Sequence, residues 1–325
     1  MKVIFVASGN KTGGQISSFV RSQYESLKAA GLDMRLLPVS GHGVKAYLKA
    51  AWKLRQLVRK ERPDVIHAHY SVCGHAAVLA TLGMIHRPKI MVSILGSFPK
   101  QNRKWRLVRF CIQHVWDKTL VKSKRTANQL GLDLPVIPNG VNLEVFRLMN
   151  YAEARKVVGF DTNDQSPITN HKYIIWCSNP ERPEKDWPLA EAAVAAANQH
   201  LSSAKSQISL VPVFNKTPDE VCTYMNAADC LLLTSVSEGS PNVIKEAMAC
   251  NCPIVTTDVG DVTERLAGLE GCHVVDSREP NELAEAIRKA LDFGKRTEGR
   301  TRLIEDGLAV EQVAMKIKNL YEQLI

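Results

Sequence analysis

Two glutamates, Glu238 and Glu246, are separated by seven residues in the segment TSVSEGSPNVIKEAMACNCPIV. An apolar strand is predicted to end near Thr234, so Glu238 lies in the following loop and Glu246 lies inside the next helix. A helix N-terminus offers free N–H groups and a positive dipole, which suit a diphosphate. A carboxylate one turn further can accept two hydrogen bonds from a ribose diol. The spacing indicates either a nucleotide site or a surface helix with solvated glutamates.

This helix is predicted to span 241–249. Ser240 suits the capping position and Pro241 the first helical position, because proline fits where no N–H partner is needed. Asn242 shares the face of Glu246 and is therefore a further candidate for contact with a nucleotide sugar.

The run E-G-S-P-N-V-I-K-E resembles the E-x(7)-E arrangement of retaining nucleotide-sugar glycosyltransferases of glycosyltransferase family 4, which have the GT-B fold. The continuation EAMACNCPIVTTDVGDVTERL is similar to the same family, and the resemblance covers nearly the whole chain. It implies that Glu246 holds the donor ribose. It also implies contacts to the donor sugar from four residues, with Pro241 contributing shape only because it has no N–H. These residues are Glu238, Gly239, Ser240 and Pro241.

The segment SNPERPEKDWPLA resembles the family's "GR…PEKG" element, in which an arginine and a lysine clamp the donor diphosphate. Lys185 matches the lysine. Asn179 and Pro180 stand where the family's arginine usually lies, and the glycine is also missing. Arg182 is the nearby substitute, the alternative being a solvated loop charge. Cations here would stabilise charge that builds up on the leaving diphosphate. Together with Glu238, these two cations are the predicted catalytic groups.

A glycine-containing loop, S-G-N-K-T-G-G-Q, follows the first predicted strand. It is neither a P-loop nor G-x-G-x-x-G, since no G-K-[ST] closes it. The resemblance implies that Gly13 and Gly14 contact the donor from the first domain. Lys11 is expected to face a phosphate or an anionic acceptor.

The segment DVIHAHYSVCGH places His67 and His69 on one face of a strand end. A metal site would need further ligands of suitable geometry, and no metal is predicted. The alternative is a histidine with satisfied hydrogen bonds. The family has a similar H-x-H strand whose second histidine lies near the acceptor, which implies acceptor-side roles for His69 and Tyr70.

The segment MVSILGSFPK aligns with the family's "VxTxHGxD". Leu95 replaces the usual histidine and Phe98 the aspartate, which removes a polar group from the expected sugar site. At these two positions the chain therefore departs from the family's pattern.

Strand-like apolar runs alternate with helical patterns along the chain, which indicates an α/β fold with buried parallel sheets. We therefore expect two Rossmann-like domains facing a central cleft, as in GT-B enzymes. The first domain is predicted at 1–152 with a helix near 310–325 packing back on it, and the second at 165–308. The polar stretch between them, 150–170, is predicted to be a linker and a surface loop.

The predicted strands and helices bring the candidate side chains to the ends of the sheets, where parallel α/β folds bind ligands. The predicted strands are 3–7, 35–39, 65–69, 90–95, 119–122, 136–138, 173–177, 208–214, 230–234, 254–257 and 273–275. The predicted helices are 14–30, 44–60, 74–83, 188–200, 219–226, 241–249 and 282–293.

The 325 residues carry 42 Lys+Arg and 33 Asp+Glu, a net charge of +9, but residues 1–150 hold 24 and 7 of them. The 45% hydrophobic content excludes a disordered chain. The basic first half, above all 44–62, suits an anionic membrane surface or an ordinary solvated helix face. Nucleic acid is not expected, because no recognised binding motif is present. Eight scattered cysteines and no spanning segment indicate a cytoplasmic protein, peripheral at the membrane's inner face at most.

The predicted activity is a retaining hexosyl transfer from a nucleotide-diphosphate sugar to a glycan or lipid-linked acceptor, in bacterial surface polysaccharide synthesis. No cofactor is expected besides this donor substrate. The alternatives are a sugar-nucleotide epimerase on the same fold, a nucleotide-sugar-binding protein without catalysis, and a Rossmann dehydrogenase, against which the absent G-x-G-x-x-G argues.

Overall fold

The computed structural model describes residues 1–9, 16–41, 43–96, 104–160, 170–199 and 206–325. The chain divides into two compact units. Unit 1 comprises Met1–Gly140 together with Leu308–Ile325, and unit 2 comprises Val141–Gly307. The division thus falls at Gly140, before the expected boundary at 152.

Unit 1 contains a five-stranded parallel sheet with the order β2-β1-β3-β4-β5. Its strands are β1 Lys2–Ser8, β2 Asp33–Val39, β3 Val65–His69, β4 Lys89–Ile94 and β5 Lys118–Val121. Its helices are α1 Ser18–Ala29, α2 Gly43–Glu61, α3 Ser71–Thr81, α4 Lys104–His114, α5 Lys124–Leu130 and the later α13 Val310–Glu322.

Helix α3 lies close against the sheet because its inner face is built from small residues. A Cβ on Gly74 would come within 2.9 Å of both Trp116 and Val92. Strands β1, β3 and β4 are almost wholly buried, as expected of a parallel sheet covered on both faces. Helix α13 packs on α1, and its Tyr321 is fully buried in unit 1.

Unit 2 also contains a five-stranded parallel sheet, with the order β10-β9-β8-β6-β7. Its strands are β6 Asn170–Trp176, β7 Ser206–Pro212, β8 Cys230–Leu233, β9 Ile254–Thr257 and β10 Cys272–Val275. Its helices are α6 Tyr151–Val158, α7 Trp187–Gln199, α8 Pro218–Ala227, α9 Asn242–Ala249, α10 Val262–Leu266, α11 Pro280–Asp292 and α12 Gly299–Glu305. A capping box between Thr217 and Glu220 fixes the start of α8.

The predicted elements agree with most of these bounds, and three differences have local causes. The run 136–138 forms no strand, only a single bridge from Val136 to Val121. The expected linker contains α6, which an Asn150 side chain caps and which packs on α8. Helices α4, α5, α10 and α12 were not among the predicted helices, and all four are short, with 11 residues or fewer.

Candidate functional site

Strands β6 and β8 are neighbours in unit 2, and the sheet order reverses direction between them. The chain leaves β6 toward β7 on one side, and it leaves β8 toward β9 on the other. Such a reversal opens a crevice at the carboxyl ends of the two strands, which is where open α/β sheets bind ligands. The two loops at this point are 177–186 after β6 and 234–241 after β8.

Thr234 joins the two loops from a fully buried position. Its hydroxyl donates toward the carbonyl oxygens of Lys185 and Asp186, at 3.0 and 2.8 Å. It accepts a hydrogen bond from the Trp176 indole N–H at 3.0 Å. The backbone N–H of Val236 also donates to the Glu184 carbonyl at 3.0 Å. These bonds hold the lysine-bearing turn against the loop that carries Glu238.

Arg278, in the segment after β10, stabilises the same junction of loops. Its guanidinium donates to the carbonyl oxygens of Ser235 and Thr234, at 3.0 and 2.9 Å. It also forms an ion pair with Asp186 at 2.5 Å. Three loops, which follow β6, β8 and β10, are therefore fixed at one end of the sheet.

Lys185 and Glu238 meet at this junction. The Lys185 ammonium donates to Glu238 Oε1 in an ion pair, and both side chains are largely shielded from solvent. The Ser235 hydroxyl donates to the same carboxylate oxygen at 3.0 Å. Two of the three predicted catalytic residues thus lie in contact, although they are 53 positions apart in the chain.

Ser240 does not cap the helix that follows. Pro241 takes the capping position, and α9 begins at Asn242, one residue later than predicted. The Ser240 hydroxyl instead donates to Asp261 at 2.9 Å and accepts from the buried Lys245 ammonium at 3.0 Å. Buried charges are paired or hydrogen-bonded, so this alternative partner outcompetes the cap.

Lys245 lies between the two glutamates in sequence, yet its side chain points under the loop rather than toward solvent. Burial lowers the pKa of Lys245 to about 8, and the nearby Asp261 carboxylate partly opposes that shift. Asp261 in turn pairs with Arg265 at 3.0 Å, and Arg265 pairs with Asp306 at 2.9 Å. A chain of alternating charges therefore supports the loop from below.

Gly260 supports the loop from the other side. Its φ is +61°, and a Cβ there would lie 2.7 Å from the Gly239 carbonyl oxygen. It would also lie 3.2 Å from the ring of Pro241. Only glycine fits both the backbone conformation and the close approach, so this residue sets the position of the Gly239–Pro241 segment.

Glu246 occupies the next turn of α9 and is partly buried. No hydrogen bond from a described residue reaches its carboxyl group. Burial raises the pKa of this carboxyl to about 7, and the Lys245 ammonium opposes the rise. A carboxyl that is shielded yet unpaired can accept hydrogen bonds from a ligand. Asn242, the first helical residue, is half-buried.

Arg182 has a different surrounding from Lys185. It precedes the short 3-10 turn Pro183–Lys185, and its guanidinium donates to the Glu184 carboxylate at 2.6 Å. Both side chains of that pair are nearly half exposed. The structure thus places Arg182 on the same turn as Lys185, directed at an exposed neighbour rather than at Glu238.

His67 and His69 stack on each other in the core of unit 1, with ring centroids 4.5 Å apart. His67 bonds to the hydroxyls of Tyr321, at 2.6 Å, and Ser93, at 2.7 Å. His69 is fully buried, yet neither ring nitrogen has a partner among the described residues. Burial, and then the Lys122 charge, lower the pKa of His69 to about 3, so its ring is neutral. One histidine is satisfied and the other is not.

Tyr70 follows His69 with a φ of +75°, a conformation that is rare for tyrosine. Its N–H donates to the Ser93 carbonyl at 3.0 Å, and its own carbonyl accepts from Gly74. Burial raises the pKa of its phenol. This strained residue lies after β3, at the sheet reversal of unit 1 between β1 and β3.

Several predicted residues lie outside the described part of the chain: Lys11, Gly13, Gly14 and Phe98. Leu95 is described, follows β4 and is half-buried. Within the described ranges, no group of three or more His, Cys, Asp or Glu side chains could hold a metal ion.

Sequence reasoning did not find Thr234, Ser235, Lys245, Asp261 or Arg278. The Thr234 hydroxyl and Arg278 act mainly through backbone carbonyls of other loops, which no local spacing reveals. One indication of the role of Lys245 was present in the sequence, because this charged residue directly follows the apolar Ile244 within the helix. The site combines one cation, one paired carboxylate, one unpaired carboxyl and a helix start, a set suited to an anionic ligand that also bears a diol.

Two family models match separate parts of the chain. The model described as Glycosyl transferases group 1 matches residues 176–292, and the model described as Glycosyltransferase Family 4 matches residues 12–145. The first match contains the junction of Lys185 and Glu238 as well as Glu246. The second contains β2 to β5 of unit 1.

Proteins similar in sequence to this chain are also described as glycosyltransferases. An uncharacterized glycosyltransferase of Methanocaldococcus jannaschii is 26% identical over 299 residues, which is 86% of this chain and 81% of that protein. TuaC of Bacillus subtilis, a putative teichuronic acid biosynthesis glycosyltransferase, is 28% identical over 245 residues, 70% of this chain and 61% of that protein. An epimerase or a non-catalytic binding protein is not favoured by these matches.

Solved structures show the fold. Sucrose-phosphate synthase of Thermosynechococcus elongatus aligns with a TM-score of 0.76 at 19% identity, covering 100% of this chain and 99% of that one. HepE of Anabaena, solved in complex with UDP-glucose, aligns with a TM-score of 0.72 at 14% identity, covering 99% and 100%. The two five-stranded parallel sheets thus confirm the predicted α/β, GT-B fold class.

Proposed function

From a chain with two glycosyltransferase domains and a GT-B fold, we propose an enzyme that transfers a hexose from a nucleotide-diphosphate sugar to an acceptor hydroxyl with retention of configuration. Unit 2 binds the donor and unit 1 the acceptor. The solved neighbour HepE, which holds UDP-glucose, supports a nucleotide sugar as the donor class. Retention rests on the resemblance of the E-x(7)-E segment to retaining enzymes.

The observation that carries the proposal is the arrangement at the reversal between β6 and β8. Lys185 and Glu238 are held together there, and the unpaired Glu246 follows on the helix that starts beside them. A nucleotide sugar has a matching order of groups: sugar, diphosphate and ribose. Glu246 accepts hydrogen bonds from the ribose diol, and the segment Glu238–Pro241, with Asn242, contacts the sugar.

Lys185 supplies positive charge opposite the diphosphate, and Arg182 adds a second cation once it turns away from Glu184. As the bond between the anomeric carbon and the phosphate oxygen breaks, negative charge grows on the leaving diphosphate. A cation fixed in advance stabilises this charge without reorganisation at the moment of reaction. The proton of the acceptor hydroxyl passes to the leaving phosphate.

The acceptor is a glycan or a lipid-linked glycan in the synthesis of a bacterial surface polysaccharide. The relative named for teichuronic acid biosynthesis supports this assignment. His69 and Tyr70, at the sheet reversal of unit 1, are the acceptor-side residues, together with Lys11. A neutral, unpartnered His69 ring has a donor and an acceptor nitrogen to offer to sugar hydroxyls.

A thermal-shift screen of nucleotide sugars tests the donor assignment, because a ligand that binds only the native state raises its stability. We expect one donor to raise the melting temperature of the wild type, and Glu246→Ala to abolish most of that rise. Glu285→Ala is the matched control, since Glu285 is an exposed helical glutamate paired with Lys289 in the same unit. An unchanged shift in Glu246→Ala would contradict the ribose contact. Nucleotide release without glycoside formation would favour an epimerase.

A further inference from the structure

An apolar groove lies on the surface of unit 1 between α2 and α3. Val44 and Leu48 line it from α2, and Val72 and Leu79 line it from α3. Its volume is about 390 Å³. All four of these side chains are exposed, Val44 to 75%. Solvent-exposed apolar side chains that converge on one groove are typical of a binding surface.

The groove offers almost no hydrogen bonds to an occupant. Two of its lining residues, Tyr47 and His75, have polar atoms, and both direct them into the protein. The Tyr47 hydroxyl donates to Ser8 at 3.4 Å. The His75 ring donates to the Ser71 carbonyl at 2.6 Å, and its other nitrogen faces the Cys111 thiol at 3.7 Å. An occupant of this groove is therefore apolar.

The helix that forms one wall is strongly basic. Lys45, Lys49 and Lys53 are exposed and each follows a residue of the exposed apolar row Val44, Leu48 and Trp52. Helix α2 carries six Lys or Arg residues, and its sole acid is the terminal Glu61, which pairs with Lys2. Helix α3 carries no acid. Cations thus lie along one side of the apolar row.

We propose that α2 and α3 form a docking surface for an anionic phospholipid bilayer. The lysines contact lipid head groups, the apolar row enters the interface, and the groove receives an acyl chain. This combination of apolar and basic residues on one helix is what interfacial binding requires. A second copy of the chain fits less well, because paired α2 helices would bring twelve cations together. No described helix is long and apolar enough to cross a membrane, so binding here is at the interface.

The inference extends the proposed function by giving unit 1 the surface on which a lipid-linked acceptor is found. It fails separately from that function, because vesicle binding needs neither donor nor turnover. The donor-binding comparison with Glu246→Ala tests the proposed function, and the vesicle measurement below tests the docking surface.

Co-sedimentation of the full chain with vesicles tests the proposal, using phosphatidylcholine alone or mixed with phosphatidylglycerol. We expect binding to the anionic vesicles that weakens as salt is raised. The triple variant Lys45→Gln, Lys49→Gln, Lys53→Gln should bind about 100-fold more weakly, at roughly fivefold per lysine near a lipid surface. The matched control neutralises three exposed lysines of unit 2, Lys216, Lys289 and Lys295, and should bind like the wild type.

Trp52, which is 60% exposed, can report how deeply α2 enters the bilayer. Brominated acyl chains should quench its fluorescence, and the quenching should disappear in Trp52→Phe. Leu48→Asn should reduce binding, whereas Ile304→Asn, at an exposed apolar position of unit 2, should not. Equal binding to neutral and anionic vesicles would overturn the proposal. So would a dimer in sedimentation velocity that Leu48→Asn dissociates, because the groove would then hold a second copy.

Discussion

Lys185 and Glu238 form an ion pair across two loops that follow different strands of the same sheet. The lysine and the glutamate assigned to the donor therefore neutralise each other until a ligand arrives. A diphosphate offers the ammonium a more highly charged partner, and Ser235 remains as a donor to the Glu238 carboxylate. The pair keeps two ionised groups in place at a site that would otherwise hold an unbalanced charge.

Lys185→Ala should lower turnover of the donor by about 100-fold or more, because removal of one fixed group facing the developing charge has an effect of that order. Steady-state kinetics with the donor found by screening would measure it. Lys216→Ala is the control, since Lys216 forms an exposed i,i+4 pair with Glu220. Such pairs contribute little, so its kinetics should match the wild type. Turnover of Lys185→Ala within a few-fold of the wild type would remove the lysine from the proposed chemistry.

Thr234→Val should destabilise unit 2 by about 1–3 kcal/mol, because it leaves the buried Trp176 indole N–H without an acceptor. It should also weaken donor binding, since the turn that carries Lys185 loses the two hydrogen bonds from the Thr234 hydroxyl. Chemical denaturation and donor titration measure the two effects. Thr263→Val, which removes an exposed hydroxyl bonded to Asp258, should leave both nearly unchanged.

The variants Gly260→Ala and Gly268→Ala distinguish two effects of an added methyl group, backbone strain and steric contact. Both residues have positive φ, at +61° and +71°, so each substitution should cost about 1 kcal/mol of conformational strain. Only at Gly260 would the methyl press on the Gly239 carbonyl, whereas nothing lies within 4 Å at Gly268. Donor affinity should therefore fall in Gly260→Ala alone. An equal loss in both variants would mean that the contact with Gly239 is unimportant.

The raised pKa of Glu246 gives a pH dependence of stability. The native carboxyl titrates at about 7, against a usual value of 4.5. Between these values the native state holds a proton that the unfolded state has released, so this group's contribution to stability falls as pH rises from about 4.5 to about 7. The free energy of unfolding, measured by urea titration at several pH values, should decrease across this window more in the wild type than in Glu246→Gln.

That comparison must use the difference between the two proteins. His67 and His69 have pKa values lowered by burial, so their contribution rises with pH over the acidic range and has the opposite sign. It is common to both proteins and cancels. Parallel curves for the wild type and Glu246→Gln would show that the Glu246 carboxyl titrates normally.

The alternation of strands and helices could be predicted because buried parallel strands contain continuous apolar runs, as in the VIFVA run of β1 and in Cys230–Leu233. The strand order could not, since it depends on which strands pair across the chain. Short helices such as α12 escaped prediction because their burial is decided by tertiary contacts: a Cβ on Gly299 would come within 3 Å of the α9 backbone at Met248.

At the site, the positions of Glu238 and Glu246 followed from their spacing, and that of Lys185 from the family resemblance. Their surroundings did not. Whether Ser240 caps a helix or bonds to Asp261 is decided by a carboxylate 21 residues away and by a lysine that the helix turns inward. Local propensity favours the cap, and the need to satisfy a buried charge overrides it.

The hydrogen bond from His67 to Tyr321 joins a central strand of unit 1 to a helix that follows unit 2 in the chain. Unit 2 is one continuous segment, so all of its residues have been synthesised once residue 307 has left the ribosome. Unit 1 must wait for α13, and until then its core at His67 lacks the Tyr321 hydroxyl. Synthesis of this chain therefore finishes the second unit before the first.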